Sequence, residues 1–151
     1  MASIARRRWR SEKGAQLVEF ALVLPLLLFI VLGIAEFGIV FQRYEVITNA
    51  AREGARLAVL PGYSDTDVRT RVRAYLTAAR VPWTATNPTI TPATVAIPIA
   101  GQPSITTRQV TVTYTHSYLF IRGIAAMFGS TYTTIPLTAI SAMRSEAPPG
   151  T

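Results

Sequence analysis

The chain contains no cysteine, which excludes disulfides, thiol catalysis and thiolate metal sites. It has one histidine, His116, set in a strand-like pattern with no acid at a useful spacing, so it reads as a packing or surface residue. Acids are scarce: Glu12, Glu19, Glu36, Glu45, Glu53, Asp65, Asp67 and Glu146 are the eight in 151 residues. Only Asp65 and Asp67 stand close together, and two acids in a first turn suit the start of a helix better than a metal ion. No Gly-rich phosphate loop, metal-ligand spacing or nucleophile elbow occurs. No enzyme, cofactor, metal or small-molecule substrate is expected.

Charge is also missing from residues 20–35, where no charged or strongly polar side chain occurs. Residues 17–41 span 25 positions; as a helix they reach roughly 37 Å, more than the ~30 Å hydrocarbon core of a bilayer. The spacing predicts a transmembrane helix over 15–41. Of the net +7 charge, +4 lies in the first 13 residues, from Arg6, Arg7, Arg8, Arg10 and Lys13 against Glu12. A nucleic-acid surface would need that charge on the folded part, so no nucleic-acid partner is expected. A basic arm beside a span stays in the cytoplasm, which puts residues 1–14 inside as a leader and the chain from Gln42 outward. The apolar run is too long for an ordinary signal peptide. The small-residue positions beyond it, Ala50, Ala51 and Ala55, fall inside a helical pattern.

A plain anchor does not need Glu19, since a carboxylate in a membrane helix costs about 2.5–3.5 kcal/mol at mid-bilayer and less near the surface. Gly14-Ala15-Gln16-Leu17-Val18-Glu19-Phe20 resembles the processing site of type IV prepilins and pseudopilins. That resemblance implies a membrane peptidase cutting after Gly14, with Ala15 as the new N-terminus, Glu19 at the fifth mature position and the aromatic Phe20 after it. The cut would leave a positive amine on Ala15 about one helical turn from Glu19. Pairing the two, within one chain or between neighbours, removes much of the cost of the carboxylate and can set subunit register. Pro25, Glu36-Phe37-Gly38 and Asn49-Ala50-Ala51-Arg52-Glu53-Gly54-Ala55-Arg56 extend the likeness, and over residues 14–59 the chain resembles the TadE-like family, pseudopilins of tight-adherence pilus systems. The implied function is that of a minor pilin subunit assisting pilus assembly from the bacterial inner membrane. Its implied partners are the membrane, a prepilin peptidase, pilin or pseudopilin subunits, a cytoplasmic assembly ATPase and platform proteins. The rival is an uncleaved single-pass protein whose outer domain binds an envelope component.

The rest of the chain reads as α+β. Pro25 should kink the span without breaking it. Gly33 and Gly38 form a small patch where another helix could approach. Glu36 either reaches the interface or pairs with Arg43 across a subunit boundary. From Gln42 to Leu60 the helix continues outward with a stripe of Val46, Ile47, Ala50, Ala51, Gly54, Ala55 and Ala58, packed on the outer domain or on a neighbour. Arg52, Glu53 and Arg56 lie opposite, as a solvated face or as intersubunit ion pairs. Pro61-Gly62 stops this helix. Ser64 and Asp67 start a second amphipathic helix over 65–80, ended by Val81-Pro82; its arginines read as a solvated face. Prolines at 88, 92, 98 and 103 point to an edge strand or irregular loop over 89–99, then a turn at Gly101-Gln102-Pro103. Residues 109–118 alternate as a strand, 119–128 form a short helix or an apolar loop that could rest on the membrane or on a neighbour, and 131–143 return to strand. A small antiparallel sheet of about three strands results, with an outer domain over 42–146 and a frayed tail at 147–151.

Overall fold

The computed structural model describes residues 3–127, 129 and 133–145; the expected tail at 147–151 and the end of the apolar segment at Phe128 lie outside them. Six elements follow in order: α1 (Ser3–Ala58), α2 (Asp65–Ala78), β1 (Thr89–Ile99), β2 (Gln102–Ser117), α3 (Ile121–Met127) and β3 (Thr134–Arg144). The fold is α+β. The strands form one antiparallel sheet in the order β1-β2-β3.

One helix of 56 residues carries the basic arm, the apolar run and the amphipathic extension beyond it, and it passes through Pro25 unbroken. Its two halves bury differently. Every residue from 14 to 31 is exposed, whereas Ile47, Ala50, Ala51, Gly54, Ala55 and Ala58 are buried. The small-residue stripe therefore packs within the chain, against α2 and the sheet. Small side chains suit this position because they bring the helix backbone close to the strands. At Gly54 the approach is closest, since a Cβ there would sit 2.7 Å from a Val72 methyl and 3.3 Å from one of Val110.

α2 begins as its sequence implies. The Ser64 hydroxyl accepts from the Asp67 amide while the Asp67 carboxylate accepts from the Ser64 amide, a complete capping box worth about 1 kcal/mol. The Ser64 hydroxyl also donates to the Asp67 carboxylate at 2.6 Å, and this bond, followed by that from the Ser64 amide, holds the Asp67 carboxyl below its usual range. The helix ends before Val81-Pro82, however. Arg80 adopts a left-handed conformation at φ 54; its amide bonds to Thr77 O and that of Val81 to Leu76 O. This closing motif is usually built on glycine. Here the burial of both Val81 and Leu76 secures it through the apolar contact that accompanies such ends.

Arg69, Arg71 and Arg80 of this region are exposed, as a solvated face requires, and three of the arginines also find partners within the chain. Arg71 pairs with Glu53 of α1 at 2.7 Å, Arg69 donates to Ile90 O, and Arg73 lies over the Trp83 ring, 5.4 Å from its centre. Asp65 pairs with Arg108 of β2. Glu53 thus meets a partner in its own chain, in place of the solvated or intersubunit roles expected for it.

β1 is a full edge strand despite its prolines, because an edge uses only one of its hydrogen-bonding sides. Its turn falls at Ala100-Gly101, Gly101 taking φ 76, and β2 already pairs at Gln102, so this strand is longer than the alternation alone implies. Val110, Val112, Tyr114 and His116 face the helices and are buried. Leu137 and Ala139 of β3 join them.

Gly54→Ala tests the closest contact. Alanine gains about 1 kcal/mol of helix propensity, but overpacking costs about 1–3 kcal/mol, and a buried valine methyl has little room to yield. The expected result is a lower thermal midpoint for the full chain in detergent, while Gly38→Ala, with nothing within 4 Å of its added Cβ, does not lower it. A Gly54→Ala midpoint at or above the parent's contradicts the close approach.

Candidate functional site

Glu36 sits within the apolar half of α1, where a carboxylate has no water to turn to. It is 1% exposed. Its partners are backbone amides at the start of α3, which the sequence leaves without a cap: the residues before Ile121 are Tyr118, Leu119 and Phe120, none able to accept a bond from the first turn. The Leu119 amide donates to both carboxylate oxygens, at 2.8 and 3.0 Å. Phe120 donates at 2.6 Å and Ile121 at 3.4 Å. A side chain 83 positions away in sequence from Leu119 thus caps a helix of seven residues.

His116 completes the cluster. Its Nε2 lies 3.5 Å from a Glu36 oxygen, close enough for an ion pair if the ring is protonated but too long for an ordinary hydrogen bond. Tyr118 meets the imidazole edge to face, with 6.2 Å between ring centres. The sequence reading of His116 as a packing residue overlooked the carboxylate the fold brings to it. The expected routes for Glu36, to the interface or to Arg43, are replaced by this internal role. An uncapped short helix beside an unpaired acid was the available clue, but nothing local linked them.

Above Glu36, a cleft of about 480 Å³ opens between α1, the segment after α2 and the end of β2; Ile39, Arg43, Trp83, Tyr114, His116 and Leu119 line it. The described residues hold no cluster of three or more potential metal ligands.

The other residues singled out in the sequence lie along α1. Gly14, Ala15, Glu19 and Phe20 are exposed on one continuous helix, and nothing stands within 4 Å of a Cβ added at Gly14, Gly33 or Gly38. Gly54 alone of these glycines is packed inside its own chain. No fold contact accounts for glycine at the first three positions, where it costs roughly 1 kcal/mol of helix propensity against alanine in a helix interior. The most apolar window of α1 is long enough to cross a membrane and none of it is buried in the chain, which supports a single-pass membrane protein.

Glu36→Ala removes the acceptor for the α3 amides. Charge-assisted bonds contribute about 1.5–3 kcal/mol, so hydrogen exchange at Leu119 and Phe120 should accelerate roughly ten- to hundredfold, while Val72 and Leu76 stay protected. Unchanged exchange at Leu119 and Phe120 would show that the carboxylate does not hold this turn.

No curated protein and no solved structure matches the chain significantly. Residues 14–56 match the family described as TadE-like protein, a stretch that takes in the exposed span, Glu36 and the small-residue stripe to Arg56.

Proposed function

We propose that the chain is a membrane-anchored, pseudopilin-like minor subunit that assists assembly of a tight-adherence pilus. The observation that carries this reading is the TadE-like match over residues 14–56. It is supported by the exposure of Gly14, Ala15 and Glu19 along a helix whose residues from 14 to 31 are all exposed. The precursor sits in the bacterial inner membrane with its basic leader in the cytoplasm, as the arginines before Gly14 favour. A prepilin peptidase cuts between Gly14 and Ala15 and leaves the span in place.

The new amine at Ala15 then lies four residues from Glu19, about 6 Å along the helix axis. In a helix bundle of low dielectric, the amine and the carboxylate of neighbouring subunits neutralise each other and fix how far one helix slides along the next. Phe20 flanks this pair, and Gly33 and Gly38 offer the close-approach surface higher in the span. The partners are pilin or pseudopilin subunits, platform proteins and the cytoplasmic assembly ATPase that drives them.

Two measurements test this. The intact mass of the protein from cells with active prepilin peptidase should lack residues 1–14; retention of the leader favours the uncleaved anchor whose outer domain binds an envelope component. Glu19→Ala should insert normally yet reduce surface pili strongly. Undiminished piliation would remove the register role.

A further inference from the structure

The position of Glu36 along α1 fixes the depth of everything bound to it. With the 25-residue apolar segment centred on Phe29, Glu36 lies about 10 Å from the midpoint of an upright helix, inside the ~15 Å half-thickness of the hydrocarbon core. Side chains on a helix lean toward its N-terminus, which here is the deeper direction. The Leu119 and Phe120 amides bond directly to the Glu36 carboxylate, so the turn that opens α3 is held at the same level.

What that turn shows to its surroundings is apolar. Leu119 is 66% exposed, and Phe120 and Ile121 each keep about a third of their surface open. They extend the exposed surface of the span, where Phe37 and Phe41 are also bare. Arg122 follows at once and is exposed, with a stem long enough to carry its charge outward. Residues that favour a membrane–water boundary gather just above. Tyr44 is exposed on α1, and Trp83 and Arg43 share the cleft with Leu119. Aromatic rings and cations at one level mark the headgroup region.

We propose that the turn Leu119-Phe120-Ile121, with α3, is a second membrane contact, inserted shallowly into the outer leaflet beside the span. Glu36 makes this insertion tolerable, because the free amides of the helix start and the buried carboxylate satisfy each other out of reach of water. The outer domain is then seated on the bilayer at two points and cannot swing freely about α1. The partner is a lipid surface, not a second polypeptide: the apolar patch is continuous with the lipid-facing surface of the span and lies at its depth.

This inference rests on the membrane reading of α1, and the experiment separates the two. The cysteine-free chain accepts single cysteines directly. Nitroxide labels at Leu119→Cys, Leu27→Cys and Tyr63→Cys would be compared in the full chain, one copy per phosphatidylcholine–phosphatidylglycerol nanodisc, for collisions with oxygen and with a water-soluble nickel chelate. The expected result is an oxygen-dominated label at Leu27, a nickel-dominated one at Tyr63, and a label at Leu119 that favours oxygen several-fold over Tyr63. A lipid-exposed Leu27 with Leu119 as wet as Tyr63 overturns the second contact and leaves the span standing. A wet Leu27 overturns the membrane reading itself. Shielding of Leu119 from both reagents would mean that protein covers the turn, and would also overturn the proposal.

Discussion

A carboxylate inside an apolar helix must find hydrogen-bond donors without leaving that environment, and in this chain Glu36 finds them in the backbone of a distant turn. The consequence reaches well beyond one residue. β2 has to end where its following amides can reach α1, so the sheet is fixed in height along the helix. β3, paired to β2 over most of its length, takes its position from the same point. Desolvating a charge is costly unless its partners are well placed, and amides of a helix start are well placed because the dipole of even a short helix favours a negative end group.

Against that fixed point, α1 changes character along its length through the size of its apolar residues rather than their polarity. Its lower half carries leucine, valine, isoleucine and phenylalanine, all exposed from Leu17 to Val31, and a fluid lipid surface can conform to such side chains. Beyond Glu36, alanine and glycine take over on the buried side, where the partner is a rigid sheet and close backbone approach matters more than side-chain bulk. A single uninterrupted helix thus serves both as a span and as the central support of the sheet and α2, and the leverage between the two passes through unbroken backbone.

Local features of the sequence read through to the structure with little loss. Ser64 and Asp67 place the start of α2, Gly62 ends the preceding turn with φ 85, and alternation from Val110 to His116 sets the inner face of β2. What escaped the sequence was set by distant contacts. Arg80 in a left-handed conformation follows from the burial of Val81 against the core, which no propensity scale includes. β1 keeps its length because β2 pairs with it across Pro92 and resumes pairing at Ile99 after a register shift at Pro98. Glu36 and His116 each lack a partner nearby in sequence, and only the crossing of α1 with the end of β2 brings them within 3.5 Å.

The two acids that bracket the apolar run are therefore not equivalent. Glu36 is buried and supplied with amides by its own fold, so it asks nothing of another subunit. Glu19 is exposed on a bare helix, at the boundary where the TadE-like match begins and beside a glycine that no packing demands. A charge satisfied internally stabilises the monomer in water, membrane or fibre alike. A charge left open at the edge of an apolar surface instead becomes costly as soon as helices close around it, and that cost falls only when a neighbour presents a positive group at the right height. This difference makes Glu36 the residue that shapes the fold of the chain, and it is the physical ground on which we propose Glu19, and not Glu36, as the residue that orders subunits against each other.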